Sequence, residues 1–110
     1  MKFTVVNQQN EVVAEVAVDP ECALAQNEDC EFSHVLGEFT EGPAFSGLKP
    51  LLERMNRDFW AARHTEAYAT SARLDALNLI GLGPDGRRYK VFNVCFQRGG
   101  LLFAVSLDET

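Results

Sequence analysis

Two histidines, three cysteines and a scatter of amides are the side chains of this 110-residue chain with the most obvious chemistry to offer. Cys22, Cys30 and His34 fall close together in an acidic stretch, but neither cysteine belongs to a close C-x₂₋₄-C pair and a fourth ligand is missing, so zinc is not expected. His34 follows Cys30 by four residues, a spacing that makes no nucleophile and base unless the fold joins them. His64 falls in the last turn of an expected helix, where a cation complements the helix dipole more simply than it serves catalysis. Glu28-Asp29-Cys30-Glu31 lacks the alternating oxygen ligands and the glycine of a calcium loop. Gly81-x-Gly83 and Gly83-Pro84-Asp85-Gly86 punctuate a hairpin, with no helix after them to receive a phosphate. No catalytic residue, metal or cofactor is therefore expected.

Two groups of residues stand out for binding instead. Residues 1–41 hold nine acids against Lys2 alone, whereas the remainder holds seven acids and nine bases. The segment from Asp19 to Glu41 has seven acids and neither Lys nor Arg. Such a surface repels nucleic acid, whose affinity comes from cations neutralising phosphates, and suits a basic protein partner steered by charge. A solvated, solubilising loop is the plainer reading of the same charges. Glu28, Asp29 and Glu31 form the centre of this candidate surface, and Trp60 is a candidate aromatic anchor, its plainer role being to close the core margin. The second group is Asn78, Tyr89, Asn93 and Gln97, which alternation places on one half-polar face of a sheet as the lining of a small-molecule pocket.

That face belongs to a meander read from two turns. Gly99-Gly100 as a two-residue hairpin turn sets Phe96 opposite Phe103, Val94 opposite Val105 and Phe92 opposite Leu107. Asp85-Gly86 as a second turn sets Leu79 beside Phe92 and Leu77 beside Val94. Both turns thus predict the same apolar face, with Tyr89, Val91, Cys95 and the amides on the other.

Upstream, Phe3 to Asn7 and Glu11 to Val18 read as a hairpin through Gln8-Gln9-Asn10, with Phe3, Val5, Ala14 and Val16 on one side. Asp19-Pro20-Glu21 carries helix-start chemistry, and Glu31 to Phe39 predicts a third strand, weakened by Gly37. Leu48, Leu51, Leu52, Met55, Phe59 and Ala62 make one helical stripe over about Gly47 to His64, with Ser46 as N-cap and Pro50 in the first turn. Thr65 to Arg73 reads equally as helix or loop. At 46% hydrophobic and 24% charged, the chain predicts one α+β domain over 1–110. Its expected architecture is a mostly antiparallel sheet of five or six strands, an N-terminal hairpin plus a C-terminal three-stranded meander, against one long helix. One helix is too narrow for such a sheet, so a two-fold homodimer is expected over the uncovered side. No apolar run reaches the roughly 20 residues of a membrane helix and no signal-peptide pattern opens the chain, so a cytoplasmic protein with reduced thiols is expected.

In size, acidity and layout the chain resembles the small α+β proteins found among bacterial immunity proteins and the hypothetical products of mobile gene cassettes. The likeness runs over the whole chain without a motif, so it transfers no sites. The first functional expectation is a non-enzymatic interaction module, either an inhibitor-like or immunity-like protein using the acidic segment against a basic partner, or a self-associating accessory protein of the mobile-cassette kind. The second is a small-molecule binder or minor enzyme using the half-polar sheet face.

Overall fold

The computed structural model describes residues 2–18, 33–84, 86–97 and 99–108. Cys22, Glu28, Asp29, Cys30 and Glu31, and with them the proposed helix start at Asp19, lie outside the described residues. Strands β1 (Lys2–Val6), β2 (Val12–Val18) and β3 (Ser33–Glu41) form a first meander, and β4 (Ile80–Leu82), β5 (Arg88–Gln97) and β6 (Gly100–Leu107) a second. Between them run a short 3-10 turn, Phe45–Gly47, and two helices, α1 (Lys49–Trp60) and α2 (His64–Asp75).

The two meanders join edge to edge, β1 with β4 and β3 with β6, and close a six-stranded antiparallel barrel in the order β1-β2-β3-β6-β5-β4. This corrects the expected open sheet against one long helix. Closure gives each of the six strands a paired neighbour on both sides, in place of the half-covered sheet from which a homodimer was expected. The helical stripe breaks after Trp60, and the residues read as helix or loop form α2.

The N-terminal hairpin follows its alternation. Phe3 pairs with Val16 and Val5 with Ala14, and all four are buried in the barrel. The Asn7 carboxamide oxygen accepts the N–H groups of Gln9 and Glu11 at 3.0 and 2.9 Å, so one short side chain organises the turn. The interior is then filled by rings: Phe3 lies 5.5 Å from Tyr89 and 5.7 Å from Phe103, centroid to centroid. Gly81 is required beside them, because a Cβ there would run into the Phe3 ring. Gly37 does not end β3 but lies within it, at a point where a side chain would collide with the Ala17 carbonyl as the strand changes partner from β6 to β2.

The second meander departs from its expected register at both turns. The β5–β6 hairpin closes on Gln97 and Gly100, one step earlier than a Gly99-Gly100 turn, and Phe96 faces Leu101 instead of Phe103. The β4–β5 ladder closes on Gly83 and Arg87, with Gly86 at φ +80, a three-residue loop in place of the two-residue Asp85-Gly86 turn. Next to its turn the β5–β6 pairing moves by two and keeps its faces, whereas the β4–β5 pairing moves by one, which reverses the faces of β5 up to the register break after Phe92. Tyr89 and Val91 therefore point inward, Leu77 and Leu107 are partly exposed, and Phe92 leaves the core face. Leu79, Val94, Phe103 and Val105 keep their expected buried positions.

Candidate functional site

The register of β5 is interrupted once, and the interruption builds one wall of a groove. Phe92 pairs with Ala104 and Cys95 with Leu102, so Asn93 and Val94 together oppose Phe103, as in a β-bulge. Asn93 takes the left-handed conformation, φ +55, which Asn tolerates better than most residues. Its N–H donates to Asp75 Oδ1 at 2.9 Å, at the last residue of α2. A carboxylate at a helix C-terminus opposes the dipole; here its partner is a backbone donor at the bulge.

The other wall comes from the break between the helices. The Arg63 N–H donates to the Asp58 carbonyl at 2.8 Å and the Ala62 N–H to the Phe59 carbonyl at 3.1 Å, a Schellman closure with Ala62 at φ +60 where glycine is usual. The Asp58 carboxylate, almost fully buried, lies 3.1 Å from the Arg63 guanidinium, which ties the chain reversal to α1. The reversal puts the end of α1 beside the start of α2. As a result Phe59 is 54%, Trp60 78% and Tyr68 71% exposed on one corner. The rings run in series: Phe59 lies 5.9 Å from both Trp60 and His64, and His64 6.5 Å from Tyr68.

Between these walls lies a groove of about 670 Å³, lined by Met55, Asn56, Phe59 and Trp60 of α1, Ala67, Tyr68 and Ser71 of α2, and Asn93 to Gln97 with Gly99 of the second meander. Its volume falls within the range of small-ligand sites, roughly 300–1,000 Å³. Cys95 lies in the lining, and burial pushes its thiol above the ordinary range, so it stays protonated at neutral pH and offers a small, weakly polar surface. Met55 and Val94 form the buried floor. Among the described residues of this lining no acid and base stand together; they offer shape, apolar surface and neutral hydrogen-bonding groups.

The candidates from the sequence are divided by the fold. Asn93 and Gln97 line the groove and Trp60 forms its rim. Tyr89 is not a pocket residue but lies in the barrel core against Phe3, and Asn78 is exposed in the turn after α2 with φ +52. Of the acidic candidate surface, Glu38 and Glu41 are among the described residues and both are exposed, Glu41 lying 3.6 Å from Lys49. His34 is exposed on β3. Phe59, assigned to the core by its stripe, is half exposed and lines the groove one residue before α1 ends. Tyr68 and Ser71 were missed. They share a helical face at a spacing of three, a signal that exists only once 64–75 is known to be helix.

Among the described residues no group of three His, Cys, Asp or Glu side chains is placed to hold a metal ion, and no helix is long and apolar enough to cross a membrane. Set against protein-family models, curated proteins and solved structures, the chain matches none.

Proposed function

We propose that this protein is a non-catalytic binding protein that takes a small, flat, largely apolar molecule in the groove between the helical hairpin and the bulged strand β5. The observation that carries this reading is the convergence of Phe59, Trp60 and Tyr68, the three most exposed large hydrophobic side chains among the described residues, on one concave site. Leaving three rings in water forfeits the burial each would gain inside, roughly 25 cal/mol per Å² of apolar surface, and a ligand stacked among them recovers part of it.

Trp60 is the only tryptophan in the chain, which makes it a reporter of the site. Titration with Nile red, a neutral dye that brightens in apolar surroundings, is expected to give saturable enhancement together with a blue shift or quenching of Trp60 emission. Tyr68→Ala is expected to weaken both signals. Absence of saturable binding, with Trp60 emission unchanged, would overturn the proposal.

The exposure of Trp60, 78%, favours a second reading in which a protein partner inserts an apolar side chain into the same groove and covers the indole. On that reading the acidic segment around Glu28, Asp29 and Glu31 steers a basic partner. Association that slows with added salt and with neutralisation of those three acids separates this reading from the first.

A further inference from the structure

We infer that the molecule taken by this groove carries a hydrogen-bond donor and an acceptor side by side on one edge of a planar ring, the edge of a cyclic amide or an amidine. The inference rests on the groove being a ligand site. What carries it is the state of two carboxamides on opposite walls. Asn56 stands in the middle of α1, where Asn is a poor helix former because its side chain competes for the backbone. It is half-buried in the groove wall and makes no side-chain hydrogen bond among the described residues. Gln97, the last residue of β5, lines the other wall with its carboxamide likewise unpartnered. Asn93 differs from both, because its φ of +55 already accounts for an Asn there.

A carboxamide holds a carbonyl acceptor and an N–H donor side by side, so it pairs with a ring edge offering the complementary two, as Asn and Gln do on the edge of adenine. The ring itself is held by faces. Phe59, Trp60 and Tyr68 supply them from the helices, and Phe96, stacked on Phe39 at 6.0 Å, supplies one from the strand wall. Aromatic faces take any planar ring, since every such ring has a π-face. The carboxamides discriminate. A ring edge without its donor leaves an amide oxygen stripped of water and unpaired, which costs more than the hydrogen bond alone.

Quinazolin-4-one and 3-methylquinazolin-4-one test this by calorimetry at neutral pH. Both are neutral bicyclic rings with a carbonyl; the first has an N–H beside it, and the second has a methyl group in place of that hydrogen. The first is expected to bind about tenfold more tightly, the worth of one amide hydrogen bond and of the unpaired oxygen that its loss leaves. In a protein carrying both Asn56→Leu and Gln97→Met, shown to be folded by a cooperative thermal melt, the ratio is expected to fall to about one. Gln97→Met alone, at an exposed position, is expected to lower it severalfold. Equal binding of the two compounds to the wild-type protein would overturn the inference and leave the groove standing as a ligand site. A preference that survives in the variants would be one of shape and would overturn it equally, as would binding of Nile red without binding of quinazolin-4-one. If neither these probes nor Nile red bind, the ligand-site reading itself falls, and this inference with it.

Discussion

The backbone N–H of Asn93, at the bulge of β5, donates to the Asp75 carboxylate at 2.9 Å, across eighteen residues of chain. The bond links the end of the helical hairpin to the point where the barrel's alternation resets. Upstream of it Tyr89 and Val91 face inward, and downstream Val94 does, so odd positions serve the core before the bulge and an even one after it. The groove lies where these two parts meet.

Removing the acceptor is therefore expected to loosen the bulge before it unfolds the protein. Asp75→Ala should cost about 1 kcal/mol, less than is usual for a bond to a charged group because the site is solvent-accessible. The Asn93 amide should exchange with solvent faster than its neighbours in β5. Asp75→Asn, which retains an acceptor, should fall between the variant and the wild type. Hydrogen exchange followed residue by residue, together with urea unfolding, checks both statements; unchanged exchange at Asn93 would show that the contact does not hold the bulge.

In the barrel interior the limiting quantity is space. Phe103 is fully buried against Phe3, and Phe103→Ala should cost about 3–5 kcal/mol. Gly81→Ala should be destabilising by about 1–3 kcal/mol because the added methyl meets the Phe3 ring. In the background of Phe3→Leu the same alanine should cost less. A double-mutant cycle measured by chemical denaturation reads this coupling directly, and strict additivity would disprove the contact.

At the helix reversal the chain places a Cβ where the backbone disfavours one. Ala62 has φ +60 in a closure that glycine fits without strain, so Ala62→Gly should stabilise the protein by about 0.5–1 kcal/mol. Thermal melts of the two proteins decide it. A lower melting temperature for the glycine variant would mean that its added freedom in the unfolded chain outweighs the relieved strain.

Stability and binding should separate at the rim. Trp60→Ala and Tyr68→Ala remove rings that are mostly in water, so each should change stability by less than about 1 kcal/mol. Each should nevertheless weaken Nile red binding severalfold. A large loss of stability in either variant would show that the ring serves the fold.

Cys95 gives a pH-dependent reading of the same site. In a chain carrying Cys22→Ser and Cys30→Ser, alkylation of Cys95 by iodoacetamide should be slower than for a free thiol at neutral pH, because burial raises its pKa and keeps it protonated. The rate should climb only at a pH above the ordinary thiol range. The same shift has a consequence for stability. The folded state favours the protonated thiol, so this contribution is fully present below the unfolded-state pKa and is lost as pH rises through the folded-state value. Unfolding midpoints taken across that alkaline window should fall with pH, more steeply than in Cys95→Ala.

The elements that sequence alone determined are those whose physics is local. Alternation in Phe3, Val5, Ala14 and Val16 marked a two-stranded hairpin, and the spacing of Leu48, Leu52 and Met55 marked the buried face of α1, because strand and helix periods act over neighbouring residues. The turns were recognised as turns, yet their lengths were not, since Gly86 and Gly99 each supply a positive φ that suits more than one loop. Tertiary structure decided the rest. Closure of the barrel depends on Val5 meeting Gly81 and Val35 meeting Phe103, pairings between strands distant in sequence that no local pattern encodes. The break at Ala62 runs against the propensity of an alanine-containing stretch, and the pairing of buried Asp58 with half-exposed Arg63 stands beside it. The groove is lined jointly by the two helices and the bulged end of β5, so Phe59, Trp60 and Tyr68 were visible in the sequence as aromatic residues but not as one site.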